Sequence, residues 1–127
     1  MKHLKTCIVI SLDGFIARKD GDLNWMPGNI KKEISAAYEI PSVFIAGVNT
    51  YNMIFRNWGG WPYKSKKTFV VSHYDTNVTR KDNVTFLTDM PLRAINELKS
   101  SSETDIQVIG GGKFITSLIE ASLLDEI

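Results

Sequence analysis

Short apolar runs and helically spaced apolar residues alternate along this chain. The apolar runs predict strands at 4–12, 42–46, 67–72, 83–87 and 105–109. Apolar residues three and four positions apart predict helices at 29–39, 50–55 and 113–121, and one more after a cap at Thr88 or Asp89. Strands that alternate with helices are typical of an α/β sheet with parallel neighbours. We therefore expect one domain over residues 1–127, a mainly parallel sheet flanked by helices.

The same patterns predict which side chains are buried. Segment 4–12 is apolar almost without interruption, so we expect a strand in the middle of the sheet, with Cys7 as a buried core thiol. Segment 122–127 is expected to begin a further strand. The helical residues expected to point inward are Ile30, Ile34, Ala37 and Tyr38, then Leu92, Ile95 and Leu98, and finally Phe114, Ile115, Leu118 and Ile119.

Composition narrows the class of protein. The chain has 127 residues, 15 Lys and Arg against 14 Asp and Glu, and a formal net charge of +1, which provides no field to attract nucleic acid or an acidic membrane. One cysteine excludes an internal disulfide, and two histidines argue against a histidine metal site, so no metal is expected. No apolar stretch approaches the roughly 20 residues of a membrane span. We expect a cytoplasmic protein whose ligand is a small molecule.

Two glycine-containing turns carry the strongest candidate chemistry. Gly110, Gly111 and Gly112 follow a predicted strand and precede a predicted helix, and Gly47 lies in the same position after the second strand. A turn without Cβ atoms lets a ligand approach the backbone, and a helix N-terminus attracts a phosphate. The run matches neither a Walker A loop nor GxGxxG, so a purely structural turn is the alternative.

Several other residues have two interpretations each. Thr50 either caps its helix or donates its hydroxyl to a phosphate. Ser72 and His73 end a predicted strand, where they meet an adenosine group or form ordinary surface. Glu33 either borders a pocket at the margin of its helix's apolar face or is a solvated carboxylate. Trp25, Trp58 and Trp61 either wall a planar ligand or close the core.

An ordered set of motifs resembles the dihydrofolate reductase-like family, most closely the bacterial branch grouped with the reductase domain of riboflavin biosynthesis. The resemblance covers nearly the whole chain. The motifs are Ser11-Leu12-Asp13-Gly14-Phe15-Ile16-Ala17, Asp20-Gly21-Asp22-Leu23-Asn24-Trp25, Gly47-x-x-Thr50-Tyr51, Val71-Ser72, Val108-Ile109-Gly110-Gly111-Gly112 and Leu124-Asp125-Glu126-Ile127.

The resemblance implies an NADPH-dependent reductase that transfers a hydride to a C=N or C=O bond of a small heterocyclic or sugar-derived substrate. It implies three groups of cofactor-binding residues. These are Gly110, Gly111, Gly112, Lys113 and Phe114 at the nicotinamide and pyrophosphate, Gly47, Asn49 and Thr50 at phosphates with Ser72 and His73 at the adenosine end, and Ile16, Ala17 and Leu23 at the nicotinamide pocket. Glu33 is the candidate catalytic carboxylate.

Three departures from the family pattern leave alternatives open. Val48 stands where many members carry an arginine that pairs with the 2′-phosphate of NADPH, so the choice between NADPH and NADH is open. Asn29 stands where dihydrofolate reductases carry a carboxylate, which disfavours folate. The chain also ends before the family's last strands, so we expect a sheet without them. It is then a fragment, a natural truncation, or a protomer whose exposed edge is covered by a partner, and of these we expect a homodimer. The alternatives are a riboflavin-pathway pyrimidine reductase that uses Lys31 and Lys32, and a nucleotide-binding module without catalysis.

Overall fold

A computed structural model describes residues 1–15, 19, 28–57, 59–72, 83–88 and 91–127. Strands and helices alternate through most of these residues. They are β1 (Leu4–Thr6), α1 (Gly28–Ala37), β2 (Val43–Gly47), α2 (Val48–Asn57), β3 (Lys67–Val71), β4 (Val84–Leu87), α3 (Pro91–Ser101), β5 (Ile106–Gly110) and α4 (Gly112–Glu120). Among the described residues, no helix has the length and apolar character needed to cross a bilayer.

The strands form a five-stranded sheet in the order β1-β5-β2-β3-β4, and all four pairings between neighbours are parallel. This confirms the predicted α/β class. β5 is the last strand in the chain, yet it lies between β1 and β2. Parallel pairing brings the carboxyl ends of β5, β2 and β3 to one edge, where the ligand of such sheets is expected.

The strands separate two apolar cores because alternate side chains point to opposite faces. Val43 and Ile45 join a core that contains Ile95 of α3 and Leu118 of α4. On the other face, Phe44 and Ala46 join Tyr51 of α2, Tyr38 and Trp61. The helices therefore cover both faces, as the near-continuous apolar character of β2 requires.

Trp61 belongs to an aromatic cluster in this second core. Its ring centroid lies 5.0 Å from that of Tyr51 and 5.2 Å from that of Tyr63. Its indole N–H donates to Thr68 Oγ1 over 3.0 Å, which satisfies the polar end of the buried side chain. The core interpretation is confirmed for Trp61, whereas Trp25 and Trp58 lie outside the described residues.

The predicted central strand at 4–12 is wrong in both length and place. β1 ends at Thr6 and lies at the edge of the sheet, and Cys7 is exposed. The apolar side chains beyond it, Ile8, Ile10 and Leu12, are also exposed. A strand is buried only when other elements pack on both of its faces. Among the described elements, such packing reaches only Leu4–Thr6.

Three helical residues predicted to point inward are exposed instead: Ala37, Leu92 and Ile119. Each stands at the margin of its helix's apolar stripe, beyond the arc that the sheet covers. The helices otherwise agree with the prediction, since Ile95, Ile115 and Leu118 are buried. Thr50 is not a cap, because α2 begins at Val48 and so includes Thr50 in its first turn.

The last residues run beside β1. Glu126 forms an isolated parallel bridge with Lys5, which agrees with the strand-like pattern of 122–127. Thr6 N–H donates to the Glu126 carbonyl over 2.9 Å, and Asp125 N–H donates to the Leu4 carbonyl over 2.9 Å. These bonds place the segment on the side of β1 opposite β5.

Candidate functional site

The two glycine turns meet at the carboxyl ends of adjacent strands. A register shift between β2 and β5 places Gly110 opposite Ala46, one residue before Gly47. A Cβ built on Gly47 would lie 3.4 Å from the Gly110 carbonyl oxygen and 3.5 Å from the Gly111 nitrogen. The two glycine turns found in the sequence are therefore in contact at the carboxyl ends of β2 and β5.

Thr50 stands against the second turn. A Cβ built on Gly111 would lie only 2.9 Å from Thr50 Oγ1, a distance that real Cβ atoms do not tolerate. Gly110 has a φ of +142°, a region that side chains with a Cβ rarely adopt. We call Gly47, Thr50, Gly110 and Gly111 the glycine corner. Gly110 is required by its backbone conformation, and Gly111 by the close approach of Thr50.

Two helix N-termini open at the glycine corner. α2 starts directly after Gly47 and α4 starts directly after Gly111, and neither helix has an acidic residue in its first turn. Gly111, the N-cap of α4, offers no side-chain hydrogen bond to that turn. The first N–H groups of both helices and their positive dipole ends are therefore available to an anion.

Side chains at the corner leave polar groups available. Within the described part of the chain, no protein group hydrogen-bonds the Thr50 hydroxyl. Asn49 and Lys113 are exposed in the first turns of α2 and α4. Phe114 is half-buried, and its Cβ would lie 3.3 Å from a Cβ on Gly47, so its side chain packs beneath the corner.

The other predicted site residues stand in different positions. Ser72 is buried directly after β3, the neighbour of β2, and its N–H donates to the Leu87 carbonyl over 3.1 Å. Glu33 is exposed on α1, and no described contact joins it to the glycine corner, so its catalytic role stays a prediction. Outside the described residues lie Ile16, Ala17, Leu23 and His73, and the side chains of Asn29, Lys31 and Lys32 are also not described.

A separate cavity of about 440 Å³ lies beside β1, and we call it the β1 cavity. It extends from the residues that precede β2 and β5 to Cys7, and no residue of the glycine corner lines it. Its lining residues are Lys2, Lys5, Thr6, Cys7, Ala37, Ile40, Pro41, Thr104, Asp105, Gln107 and Glu126. The sequence interpretation missed Gln107, although a glutamine within the apolar run at 105–109 is an unusual residue that could have indicated it.

Ion pairs join charged residues beside β1. We call these residues the charged edge: Lys5, Lys99, Asp105, Asp125 and Glu126. Lys99 Nζ lies 2.7 Å from Asp125 Oδ2, and the same oxygen accepts the Leu4 N–H over 2.8 Å. These two donors hold the pKa of Asp125 below its ordinary value. Lys5 Nζ lies 3.0 Å from Asp105 Oδ2 and 3.5 Å from Glu126 Oε2.

Comparison with known sequences finds the same family over nearly the whole chain. The sequence model of the RibD C-terminal domain matches residues 2–127. Two proteins of Bacillus subtilis (strain 168), the uncharacterized proteins YwjB and YyaP, are each 25% identical to the chain, over 122 and 134 residues. Each match covers 94% of this chain, with 70% of YwjB and 68% of YyaP.

Solved structures of similar proteins share the fold. One, from Shewanella sp. PV-4, carries a name that refers to riboflavin biosynthesis; it is 30% identical, with a TM-score of 0.77 over 98% of this chain and 73% of that chain. Another is a diaminohydroxyphosphoribosylaminopyrimidine deaminase/5-amino-6-(5-phosphoribosylamino)uracil reductase from Thermotoga maritima. It is 16% identical, with a TM-score of 0.69 over 94% of this chain and 42% of that chain, a likeness of fold alone.

Proposed function

The chain belongs to the RibD C-terminal domain family, which has a dihydrofolate reductase-like fold, and on that premise we propose that it is an NADPH-dependent reductase of a small heterocyclic or sugar-derived substrate. The observation that carries the proposal is the glycine corner. Two glycine-containing turns and two helix N-termini converge at the carboxyl edge of a parallel sheet. Such an arrangement suits an anionic ligand such as a dinucleotide pyrophosphate.

The residues at the corner fit this cofactor. Gly111 has no side chain, so the Thr50 hydroxyl lies close to the backbone at the start of α4, and one phosphate oxygen can contact both that hydroxyl and the first N–H groups of the helix. Neither helix has an acidic first-turn residue to repel the anion. We propose that Gly47, Asn49 and Thr50 hold phosphates and that Gly110, Gly111, Gly112, Lys113 and Phe114 contact the pyrophosphate and nicotinamide.

The remaining roles follow the family resemblance. The cofactor supplies the hydride, so the protein needs no covalent nucleophile and acts by positioning, exclusion of water and supply of a proton. We propose Ser72 and His73 for the adenosine end, Ile16, Ala17 and Leu23 for the nicotinamide pocket, and Glu33 for proton supply. The first residue of α2 is Val48, which has no charge to pair with the 2′-phosphate of NADPH. This position therefore does not distinguish NADPH from NADH.

The test is an equilibrium titration with NADPH and, separately, with NADH, followed by tryptophan fluorescence. We expect saturable binding of NADPH in the micromolar range, about −8 kcal/mol. A Gly111→Ala substitution alone would clash with Thr50, so the decisive variant is Gly111→Ala combined with Thr50→Ala, which removes the clashing oxygen. The new Cβ on residue 111 would still stand between the backbone and the cofactor. We therefore expect the double variant to bind NADPH at least about tenfold more weakly than Thr50→Ala alone, a difference of about 1.4 kcal/mol.

The matched Thr50→Ala variant separates the two interpretations of the glycines. Equal affinity of the single and double variants, with the fold intact by circular dichroism, would assign the glycines to a structural turn and remove the cofactor site. No binding of either nucleotide up to about millimolar, weaker than about −4 kcal/mol, would reject the reductase outright. Binding without turnover of any substrate would favour the nucleotide-binding module.

A second candidate function is reduction of a phosphorylated ribosylamino-pyrimidine. It is favoured by the Shewanella structure, which is 30% identical over nearly the whole chain and whose name refers to riboflavin biosynthesis. This substrate would require cations for its phosphate, and Lys31 and Lys32 on α1 are the candidates. Turnover of 5-amino-6-(5-phosphoribosylamino)uracil with NADPH, measured by loss of nicotinamide absorbance, would distinguish it from a reductase of another substrate.

A further inference from the structure

Cys7 combines solvent exposure with a place in a cavity wall. It is the single cysteine of the chain, it lies exposed directly after β1, and it lines the β1 cavity. A thiol in this position can be reached from solvent by a molecule that the cavity also holds. The volume of about 440 Å³ lies within the range of small-molecule pockets.

Gln107 is a buried amide in the cavity wall with little hydrogen bonding of its own. The side chain is only 4% exposed, lies on β5 opposite Lys5, and lines the cavity. Its Nε2 has a single contact, 3.5 Å from the Val108 carbonyl oxygen, which is a marginal hydrogen bond. Within the described part of the chain, no donor reaches its Oε1. Buried amides are normally satisfied, so Gln107 points to a partner with an N–H and a carbonyl of its own.

Some of the charged groups that line the cavity form ion pairs with one another, and one does not. Asp105 and Glu126 both face Lys5, at 3.0 and 3.5 Å from its Nζ. Lys2 lines the same cavity, and in the described residues no carboxylate pairs with its ammonium. The charged lining groups are two lysines and two carboxylates, so their charges balance, and Lys2 is the cation without a described carboxylate partner. The Lys2 ammonium can therefore pair with a ligand carboxylate, while Ile40 and Pro41 supply an apolar wall.

We propose that Cys7 is a thiol–disulfide exchange site and that the β1 cavity binds its reaction partner, a low-molecular-weight peptide disulfide that carries amides and carboxylates. Peptide amides match the buried Gln107 side chain, and a carboxylate matches Lys2. This function does not involve the glycine corner and is independent of the proposed reductase activity.

The exchange step balances with the small disulfide as oxidant. The Cys7 thiolate attacks one sulfur of the bound disulfide, so a new sulfur–sulfur bond forms as the old one breaks. The other half leaves as a thiolate and takes up the proton that the Cys7 thiol has lost. Cys7 is oxidised to a mixed disulfide, and the leaving half is reduced to a thiol.

The test follows exchange of the full chain with glutathione disulfide by intact mass. We expect one adduct per chain, removed by dithiothreitol and absent in Cys7→Ser. The decisive quantity is the rate with glutathione disulfide divided by the rate with 2-hydroxyethyl disulfide, which has neither amides nor carboxylates. This ratio should be at least about tenfold higher for the native chain than for the same chain unfolded in urea, which corresponds to about 1.4 kcal/mol of recognition.

Two variants assign the recognition to residues. Gln107→Met removes the amide at similar volume and should lower the ratio about fivefold, the effect of one hydrogen bond. Lys2→Gln should lower it by a smaller factor, whereas the exposed Lys64→Gln control should not change it. A readout that needs no variant is the alkylation of Cys7 by iodoacetamide, which S-methylglutathione should slow by occupying the cavity.

Three results would overturn the proposal. Equal ratios for the native and unfolded chains would show that Cys7 reacts as an ordinary exposed thiol. A Cys7–Cys7 linked dimer as the main product would show that the cavity does not select the small disulfide. Failure of S-methylglutathione to slow alkylation would show that the cavity does not hold the peptide, and this result stands even if Gln107→Met fails to fold.

Discussion

The glycine corner and the charged edge differ in whether their polar groups have partners within the protein. At the charged edge, the buried Lys99 ammonium is bound by the Asp125 carboxylate and, over 2.9 Å, by the Leu123 carbonyl oxygen. At the glycine corner, no described protein group hydrogen-bonds the Thr50 hydroxyl, and the N-cap of α4 offers no side-chain hydrogen bond to the first turn of that helix. The charged edge thus satisfies its polar groups internally, whereas the glycine corner leaves polar groups without a protein partner, as we propose for a site that binds a ligand.

The strongest way to break the charged edge is to remove Asp125. In Asp125→Ala, Lys99, which is only 6% exposed, loses its counter-charge, and the Leu4 N–H loses its acceptor. We expect the free energy of unfolding to fall by about 2 kcal/mol, below the usual range for a fully buried pair because Asp125 is one-third exposed. Urea unfolding followed by circular dichroism measures the loss.

The matched control for Asp125 is Glu97, whose carboxylate lies 3.5 Å from Arg93 on the exposed face of α3. Glu97→Ala should cost no more than about 0.5 kcal/mol, as is typical of exposed pairs one helical turn apart. Similar losses for the two variants would show that burial of Lys99 adds nothing to its ion pair, and the charged edge would then be ordinary surface.

Thr50→Val tests the opposite behaviour of the glycine corner. The substitution removes a hydroxyl that no described protein group hydrogen-bonds, so we expect stability to change little. Affinity for NADPH should fall about fivefold, because one hydrogen bond to the cofactor is lost. Thr85→Val on β4 applies the same chemical change away from the corner and should leave affinity unchanged. A large loss of stability with unchanged affinity would make Thr50 structural.

The smallest expected effect is the acid sensitivity of Asp105. The His3 N–H, which donates to Oδ1 over 3.0 Å, and Lys5 lower the pKa of Asp105 below its ordinary value of 3.8. A carboxyl whose pKa is lower in the folded than in the unfolded state adds stability that is complete above its ordinary pKa and is lost as pH falls through the folded pKa. Stability should therefore fall as pH drops below about 4.

Asp105→Asn checks this interpretation in urea unfolding at several pH values. The variant should be slightly less stable than the parent chain at neutral pH and should lose less stability on acidification. The effect should be smaller than that of Asp125→Ala, because Asp105 and Lys5 are each about one-third exposed. Identical acid slopes for Asp105→Asn and the parent chain would contradict a contribution from Asp105.

The sequence predicted the strands of the interior well, because their character is local. β2, β3 and β5 fall within one or two residues of the predicted segments, and short buried strands are recognisable from continuous β-branched residues alone. β1 was predicted wrongly, since the burial of residues beyond Thr6 depends on neighbours that a run of apolar residues does not specify. The predicted burial of Ala37, Leu92 and Ile119 was wrong for a related reason. Periodicity shows which face of a helix points toward the sheet, but not how much of that face the sheet covers.

The candidate site was partly predictable for the same reason. Glycine after a buried strand is a local pattern, but Gly47 and Gly110 meet because β5 lies next to β2, and that adjacency is tertiary. The 2.9 Å constraint between Thr50 and Gly111 is tertiary and could not be read from the chain. The pairing of Lys99 with Asp125 is also tertiary, since it joins residues on α3 and beside β1. The expected homodimer and cytoplasmic location stay predictions.

The position of β5 between β1 and β2 also has a consequence for the order of assembly during synthesis. β1 emerges from the ribosome before the other described strands, but its strand partner spans Ile106–Gly110, about a hundred residues later. β2, β3 and β4 can pair in order as they appear, whereas the sheet joins β1 only when β5 inserts. Such long-range closure slows folding, because the chain must close a large loop before any contact rewards it. Until then, the apolar residues of β1 lack the strand that covers them, and such transiently exposed apolar surface favours aggregation.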